Sequence, residues 1–209
     1  MSKVVHSAQQ YWDDRSDLFG SYYTKPSLFD KIFRKGIYTR IAVSVKTSKD
    51  YDNPVVLDVG SGPGVNSVTL LKTSNAQKVV GIDFAPNMLE YAQKYAQEQG
   101  VAGKCEFFEG DFMKHDWGHR RFDVSVAMGV LDYIEDAKGF VQRMADVTDK
   151  AFVISWPENG LRMTLRRYRY TCPLFHYTES EIRELHSAAG LDTVDVVKSE
   201  GGWVTIGRK

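Results

Sequence analysis

Val55-Val56-Leu57-Asp58-Val59-Gly60-Ser61-Gly62-Pro63-Gly64 is a short apolar run that ends in glycines at alternate positions. Such a run, too short for a core helix and bounded by turn residues, reads as a buried strand over 54–59. Val65, Val68 and Leu71 then recur at helical spacing. Between a strand and a helix, each glycine removes a Cβ that would keep a ligand away from the backbone.

Downstream the same alternation repeats. Lys78 to Ile82 predicts a second strand that ends at Asp83. Pro86 suits a first helical turn, Leu89, Ala92 and Ala96 share a face, and Gly100 suits the C-terminal cap. Cys105 to Phe108 predicts a third strand ending near Asp111, Phe122 to Met128 a fourth, and Ala151 to Trp156 a fifth. Phe140, Val141 and Met144 predict a helix after Gly139. Thr178 and Glu181 have capping-box spacing ahead of Ile182, Leu185 and Ala189, with Gly190 closing that helix. Thr193 to Val197 and Trp203 to Ile206 flank Gly201-Gly202 and read as a β-hairpin. Strands alternating with helices predict an α/β fold with a parallel sheet, here finished by a hairpin.

Upstream, residues 1–50 read as a helical, aromatic-rich cap, and Lys46 to Asn53 as a polar linker. Residues 51–209 then form the main domain, with an inserted segment over about 158–177. The chain has 209 residues, 43% hydrophobic, enough for one domain with a core. Its 27 basic and 27 acidic residues balance, so no global field favours nucleic acid or an anionic membrane. Cys105 and Cys172 form neither a disulfide framework nor a CxxC pair, and no metal site is expected. With no signal-peptide pattern at the N-terminus and no membrane-length apolar run, the expected compartment is the cytoplasm.

The glycine spacing narrows the ligand. A dinucleotide fingerprint would need glycine at position 65, where Val65 stands. The Gly-Lys-Ser/Thr of a phosphate loop is absent too. Asp58, at the strand end, would repel a pyrophosphate and attract a cation. S-adenosylmethionine carries an ammonium and a sulfonium and no phosphate. Asp58, Asp83 and Asp111 close successive strands, whose ends lie along one edge of a parallel sheet. There Asp83 suits two ribose hydroxyls and Asp111 an exocyclic amine. Phe112 can cover a ring, and Phe84 and Met88 offer apolar surface. The alternative is that such Asp residues only cap helices, and that Phe84 and Phe112 are core.

Val55 to Gly64 resembles the first motif of class I S-adenosylmethionine-dependent methyltransferases. Val80-Gly81-Ile82-Asp83-Phe84-Ala85-Pro86-Asn87-Met88 resembles the second, and Gly110-Asp111-Phe112 and Phe122-Asp123-Val124 resemble later ones. The likeness runs over roughly residues 54–209. It implies a Rossmann-like seven-stranded mixed sheet, last strand antiparallel, with helices on both faces. It also implies that Gly60, Ser61, Gly62 and Gly64 hold the methionine side of the cofactor, Asp83 the ribose and Asp111 the adenine. Met128 and Gly129 would pass beside the reactive methyl.

The acceptor side is less determined. Methyl transfer needs a positioned nucleophile and exclusion of water more than a catalytic triad. Ala127 to Tyr133 departs from the Asn/Asp-Pro-Pro-Tyr/Phe motif of nucleobase and glutamine amino-methyltransferases. Asp132, Tyr133, His176 and Tyr177 are the candidates to touch the nucleophile, with His176 a possible base. Tyr11, Trp12, Arg15, Phe19, Tyr22 and Tyr23 suit either a lid over a sulfonium or planar acceptor, or simple packing. Arg162, Arg166 and Arg169 recur at helical spacing beside Arg167, while Leu161, Leu165 and Tyr168 form another face. The arginines suit a carboxylate or phosphate pocket, or a solvated basic face. A small-molecule acceptor, aromatic or acidic, is the leading expectation. RNA or protein methylation and a non-catalytic binder are the alternatives, and oligomeric state is not legible.

Overall fold

The structure is a computed structural model that describes residues 7–13, 35–191 and 194–209. Arg15, Phe19, Tyr22, Tyr23 and Thr193, cited above, lie outside the described residues, as does the side chain of Arg162.

In chain order the elements are α1 (Ala8–Asp13), α2 (Lys35–Lys49), β1 (Val55–Val59), α3 (Val65–Thr73), β2 (Lys78–Asp83) and α4 (Pro86–Glu98). After a 3-10 turn at Ala102–Lys104 come β3 (Cys105–Glu109), β4 (Phe122–Ala127), α5 (Ala137–Val147) and β5 (Thr148–Pro157). They are followed by α6 (Leu161–Arg169), α7 (Glu179–Ala188), β6 (Val194–Ser199) and β7 (Gly202–Arg208). Seven strands form one sheet in the order β3-β2-β1-β4-β5-β7-β6. β1 runs parallel to β2 and β4, whereas β7 is antiparallel to both β5 and β6.

Alternation along the strands feeds two cores. Leu57, Val80, Ile82 and Ile154 pack with Phe140 and Met144 of α5 and Ile182 of α7. Val56, Val79, Val124 and Val153 pack on the opposite face with Leu70 of α3 and Val43 of α2. Helices therefore cover both faces of the sheet.

Two local expectations need correction. Lys46–Lys49 is the last turn of α2, not a linker. Its polar composition hides a buried turn: Thr47 and Ser48 are 1% and 0% exposed, and Ser48 Oγ lies 3.2 Å from Ser74 Oγ after α3. Likewise, α5 begins before Gly139. Asp136 caps it by accepting the Gly139 N–H at 2.8 Å. A Cβ on Gly139 would lie 2.2 Å from Asp136 Oδ2, so the poor helix former is what lets this cap close. The capping box of α7 is complete, with Glu181 N–H on Thr178 Oγ1 and Thr178 N–H on Glu181 Oε2.

Candidate active site

The sheet reverses its winding between β1 and β4. Helices that follow β1 and β2 lie on one face, and the helix that follows β4 lies on the other. In open α/β sheets the crevice at such a reversal, outside the C-terminal strand ends, is where ligands bind.

Here the glycine loop is strapped to β2. Gly60 and Ser61 both donate their N–H to the Ile82 carbonyl, at 2.8 and 3.1 Å. Asp83 accepts the Gly62 N–H on Oδ2 at 2.8 Å and the Ala85 N–H on Oδ1 at 2.9 Å. Gly60, Gly62 and Gly64 have φ of 65°, 49° and 77°, the left-handed region that a side chain disfavours. Their surroundings differ. A Cβ on Gly60 would lie 2.5 Å from Val130 Cγ2, and one on Gly64 would lie 2.9 Å from Ala92 Cβ. At Gly62, and again at Gly129 after β4, it would meet nothing within 4 Å among the described residues. The loop is thus packed on one side and open on the other, across the ends of two adjacent strands. Ser155 Oγ fixes the second of these points by accepting the Gly129 N–H at 2.8 Å.

Carboxylates surround the opening. Burial pushes Asp83 above the ordinary carboxylate range, and Asp13 of α1 adds to the push. Asp58 is 1% exposed, and burial raises it from 3.8 to about 6 against the opposing hydrogen bonds. Its two oxygens accept from Asn66 Nδ2 at 3.0 Å and Ser67 Oγ at 2.6 Å. Asp58 therefore braces the loop against α3 from within, rather than presenting itself directly to a cation as expected. Its charge still acts at short range. An open cradle bordered by poorly solvated carboxylates fits a cationic ligand.

The remaining cofactor candidates divide. Phe84 is half-buried beside Asp83, and Met88 is buried in the first turn of α4. Ser61 Oγ is buried with no hydrogen-bond partner. Asp111 is exposed, takes the Met113 N–H at 2.9 Å and pairs with Lys114 at 3.3 Å. That turn sends Phe112 inward, where it packs 5.3 Å from Phe140 in the core. Its ring is therefore a core group and not an exposed cover. Met128 packs partly against the core of the opposite face.

Helix α1 crosses from β2 to the inserted segment. Gln9 Nε2 donates to the Phe84 carbonyl at 3.0 Å. Trp12 meets Tyr133 edge-on at 5.6 Å, and Tyr11 stacks on Tyr170 at 4.8 Å. From α6, Arg166 donates to Asp132 Oδ1 at 3.0 Å and to the Tyr133 hydroxyl at 3.2 Å. This pair corrects two expectations. Asp132 is buried against Arg166 and is committed to it, and Arg166 belongs to no solvated face. Burial pushes the Tyr133 phenol well above its ordinary value, so it stays protonated and acts as a donor. The Tyr177 hydroxyl donates to the Ile134 carbonyl at 3.0 Å, which makes it a structural tie. His176 Nδ1 lies 2.7 Å from Arg167 Nη2. Arginine only donates, so Nδ1 accepts and the ring proton sits on Nε2. Sequence reading missed Val130 over Gly60 and the Arg166–Asp132 pair. Both join residues far apart in the chain, although the helical spacing of the arginines marked the segment.

Residues 56–151 match the family model described as a methyltransferase domain. Over that stretch, just under half of its length, the chain is similar to class I S-adenosylmethionine-dependent methyltransferases. Members of this family use S-adenosylmethionine as methyl donor. Among curated relatives, a protein-lysine N-methyltransferase of Saccharomyces cerevisiae is 30% identical over 98 residues, 47% of this chain and 43% of that protein. A ubiquinone biosynthesis O-methyltransferase of Azorhizobium caulinodans is 30% identical over 94 residues, 45% of this chain and 36% of the relative. The matches thus span less than half of either relative. In fold, the chain is similar to the magnesium protoporphyrin IX methyltransferase of Synechocystis PCC 6803 crystallised with SAH. The TM-score is 0.75 at 19% identity, covering 96% of this chain and 95% of the other. Among the described residues, no cluster of His, Cys, Asp or Glu is placed to hold a metal, and no helix is long and apolar enough to cross a membrane.

Proposed function

We propose that this chain binds S-adenosylmethionine at the β1/β4 reversal and transfers its methyl group to a small-molecule acceptor by in-line displacement. The observation that carries this reading is the cradle open at Gly62 and Gly129, bordered by Asp83. The bound cofactor supplies an activated methyl on a sulfonium. The chain's own residues bind, orient and exclude water. Gly60, Ser61, Gly62 and Gly64 offer close backbone approach, Asp83 accepts from the ribose, and Phe84 and Met88 give apolar surface. Asp111, at the edge, accepts from the adenine amine. Asp58 acts through the loop, and Met128-Gly129 line the methyl side.

Of the N-terminal segment expected as a cap over residues 1–50, α1 serves that role, whereas α2 packs with α3 against the face of the sheet and belongs to the main domain. Helix α1 bridges Phe84 and Tyr133, so it closes the crevice over a small acceptor. Tyr133 and His176 Nε2 are the donors left to orient that acceptor. Asp132 and Tyr177 support them. An enclosed aromatic wall favours an aromatic acceptor. A protein acceptor is the second reading, favoured by the yeast relative. Neither cysteine is in a disulfide, which fits a reducing, cytoplasmic setting.

Calorimetry with S-adenosylmethionine and S-adenosylhomocysteine tests the cofactor site, and absence of binding overturns it. Incubation with metabolite and protein extracts, followed by a search for mass gains of one methyl group, tests the acceptor. Gains confined to proteins would establish the second reading instead.

A further inference from the structure

The polar layer beneath the glycine loop is rich in acceptors and holds no cation. Asp58 is buried, and its two oxygens take only the neutral donors Asn66 Nδ2 and Ser67 Oγ. Gly81 is its register partner on β2, so a Cβ there would share its face of the sheet. Ser61 Oγ lies 2.8 Å from that Cβ position, which places the hydroxyl beside Asp58. Both Ser61 Oγ and Asn66 Oδ1 are buried without a hydrogen-bond partner.

Every element packed on Asp58 leaves its charge uncompensated. From β2 comes Asp83, of the same sign. On β3, burial and then the Asp58 charge push the Cys105 thiol up to about 11, so it stays neutral. Helix α3 supplies Asn66 and Ser67, and the register partner on β4 is the apolar Val126. Among the described residues no lysine, arginine or histidine pairs with Asp58. A buried carboxylate in such surroundings either keeps a proton or borrows a positive charge from a ligand.

On the reading that S-adenosylmethionine binds this loop, we propose that Asp58 makes cofactor binding proton-linked: its carboxyl group releases a proton to the buffer as the cationic methionine end of the cofactor settles above it. The carboxylate left behind is the buried counter-charge of the ligand. It acts through space and through Asn66 and the loop, so Asp58 is a positioning residue. Burial raises the free group from 3.8 to about 6. At about pH 5 roughly nine in ten molecules therefore carry the proton, and only the ionised fraction binds at full strength. A nearby positive charge favours the ionised form, so affinity rises with pH through about 6 and levels off above 7.

Calorimetry of the full chain tests this with S-adenosylhomocysteine, which keeps the ammonium and is not consumed. Titrations are run at about pH 5, 6 and 7.5, each in two buffers of different ionisation enthalpy. Affinity should be about tenfold weaker at pH 5 than at pH 7.5, with close to one proton released at pH 5 and almost none at pH 7.5. Asp58→Asn should flatten the affinity profile and abolish the release, whereas Asp83→Asn should bind more weakly but still release the proton. The proton count of the wild-type chain decides the matter even where a variant fails to fold. Wild-type binding of equal affinity at all three values, with no proton released, overturns the linkage and leaves the cofactor site standing. Release that persists in Asp58→Asn and vanishes in Asp83→Asn overturns the assignment to Asp58. No binding at any pH removes the cofactor site and the linkage together.

Discussion

The Asp83 carboxylate holds the Gly62 N–H at 2.8 Å while its other oxygen holds the Ala85 N–H at 2.9 Å. One side chain at the end of β2 therefore sets the position of a loop that leaves β1. It also stands where the ribose of the proposed cofactor would be held. Removing it costs both the ligand contact and the shape of the loop. Asp83→Ala should weaken S-adenosylmethionine binding by roughly tenfold to a hundredfold, the scale of a hydrogen bond to a charged group. Asp83→Asn, which keeps one acceptor oxygen, should lose less. Calorimetry decides it, and unchanged affinity in Asp83→Ala would sink the ribose assignment.

Gly60 and Gly62 separate strain from occupancy. Both have positive φ, so alanine at either costs about 1–2 kcal/mol of backbone strain. Only at Gly60 does the new Cβ also collide with Val130. Gly60→Ala should therefore lower the melting temperature more than Gly62→Ala. Gly62→Ala, whose Cβ enters the open side, should lose cofactor affinity at a smaller cost in stability. Equal melting temperatures together with equal affinities would contradict this division.

Asp58 gives a pH dependence with a defined sign. Burial raises its folded value from 3.8 to about 6, so the folded state binds the proton more tightly than the unfolded chain does. The stability that comes from this group is present below about pH 4 and is lost as pH rises through about 6, an effect of roughly 3 kcal/mol. Asp83 is shifted in the same direction. Asp58→Asn, in which the amide can donate to Ser67 Oγ, should flatten this slope. Urea unfolding of the cofactor-free protein at several pH values between 4 and 7 measures it, and an identical slope in the variant would reject the assignment.

Arg166 and Asp132 are 34 positions apart, and their pairing closes α6 onto the segment after β4. Arg166→Ala would leave a buried carboxylate uncompensated, at about 3 kcal/mol. Adding Asp132→Asn should restore much of that loss, since it removes the orphaned charge. A double-mutant cycle by chemical denaturation reads the coupling, and additive single effects would show that the pair contributes nothing.

What could be read in the sequence follows from distance along the chain. The glycine loop, Asp83, the strand order of periodicities and the Thr178–Glu181 box each lie within a few residues, so spacing alone specifies them. Phe112 was harder, because the Asp111–Met113 turn rather than strand alternation decides which way its ring points. The end of α2 reads as a linker because Thr47 and Ser48 are polar, although both are buried against the domain and Ser48 bonds to Ser74 far along the chain. Val130 over Gly60, and Trp12 against Tyr133, depend on the closed topology, which no local pattern encodes.

His176 tests the acceptor side last. With Nδ1 engaged by Arg167, Nε2–H is the donor the ring has left, so in the proposed site the residue orients an acceptor oxygen or nitrogen rather than taking its proton. His176→Ala should raise the acceptor KM by about tenfold, the value of one donor hydrogen bond, and leave cofactor affinity unchanged. His176→Gln, whose amide N–H can replace the donor, should recover part of the loss. A base would behave differently: both variants would lose kcat by about a hundredfold or more, and the wild-type rate would fall with acid. Steady-state kinetics on the acceptor found by the mass screen separates these outcomes, and full turnover with unchanged KM in His176→Ala removes the residue from the site.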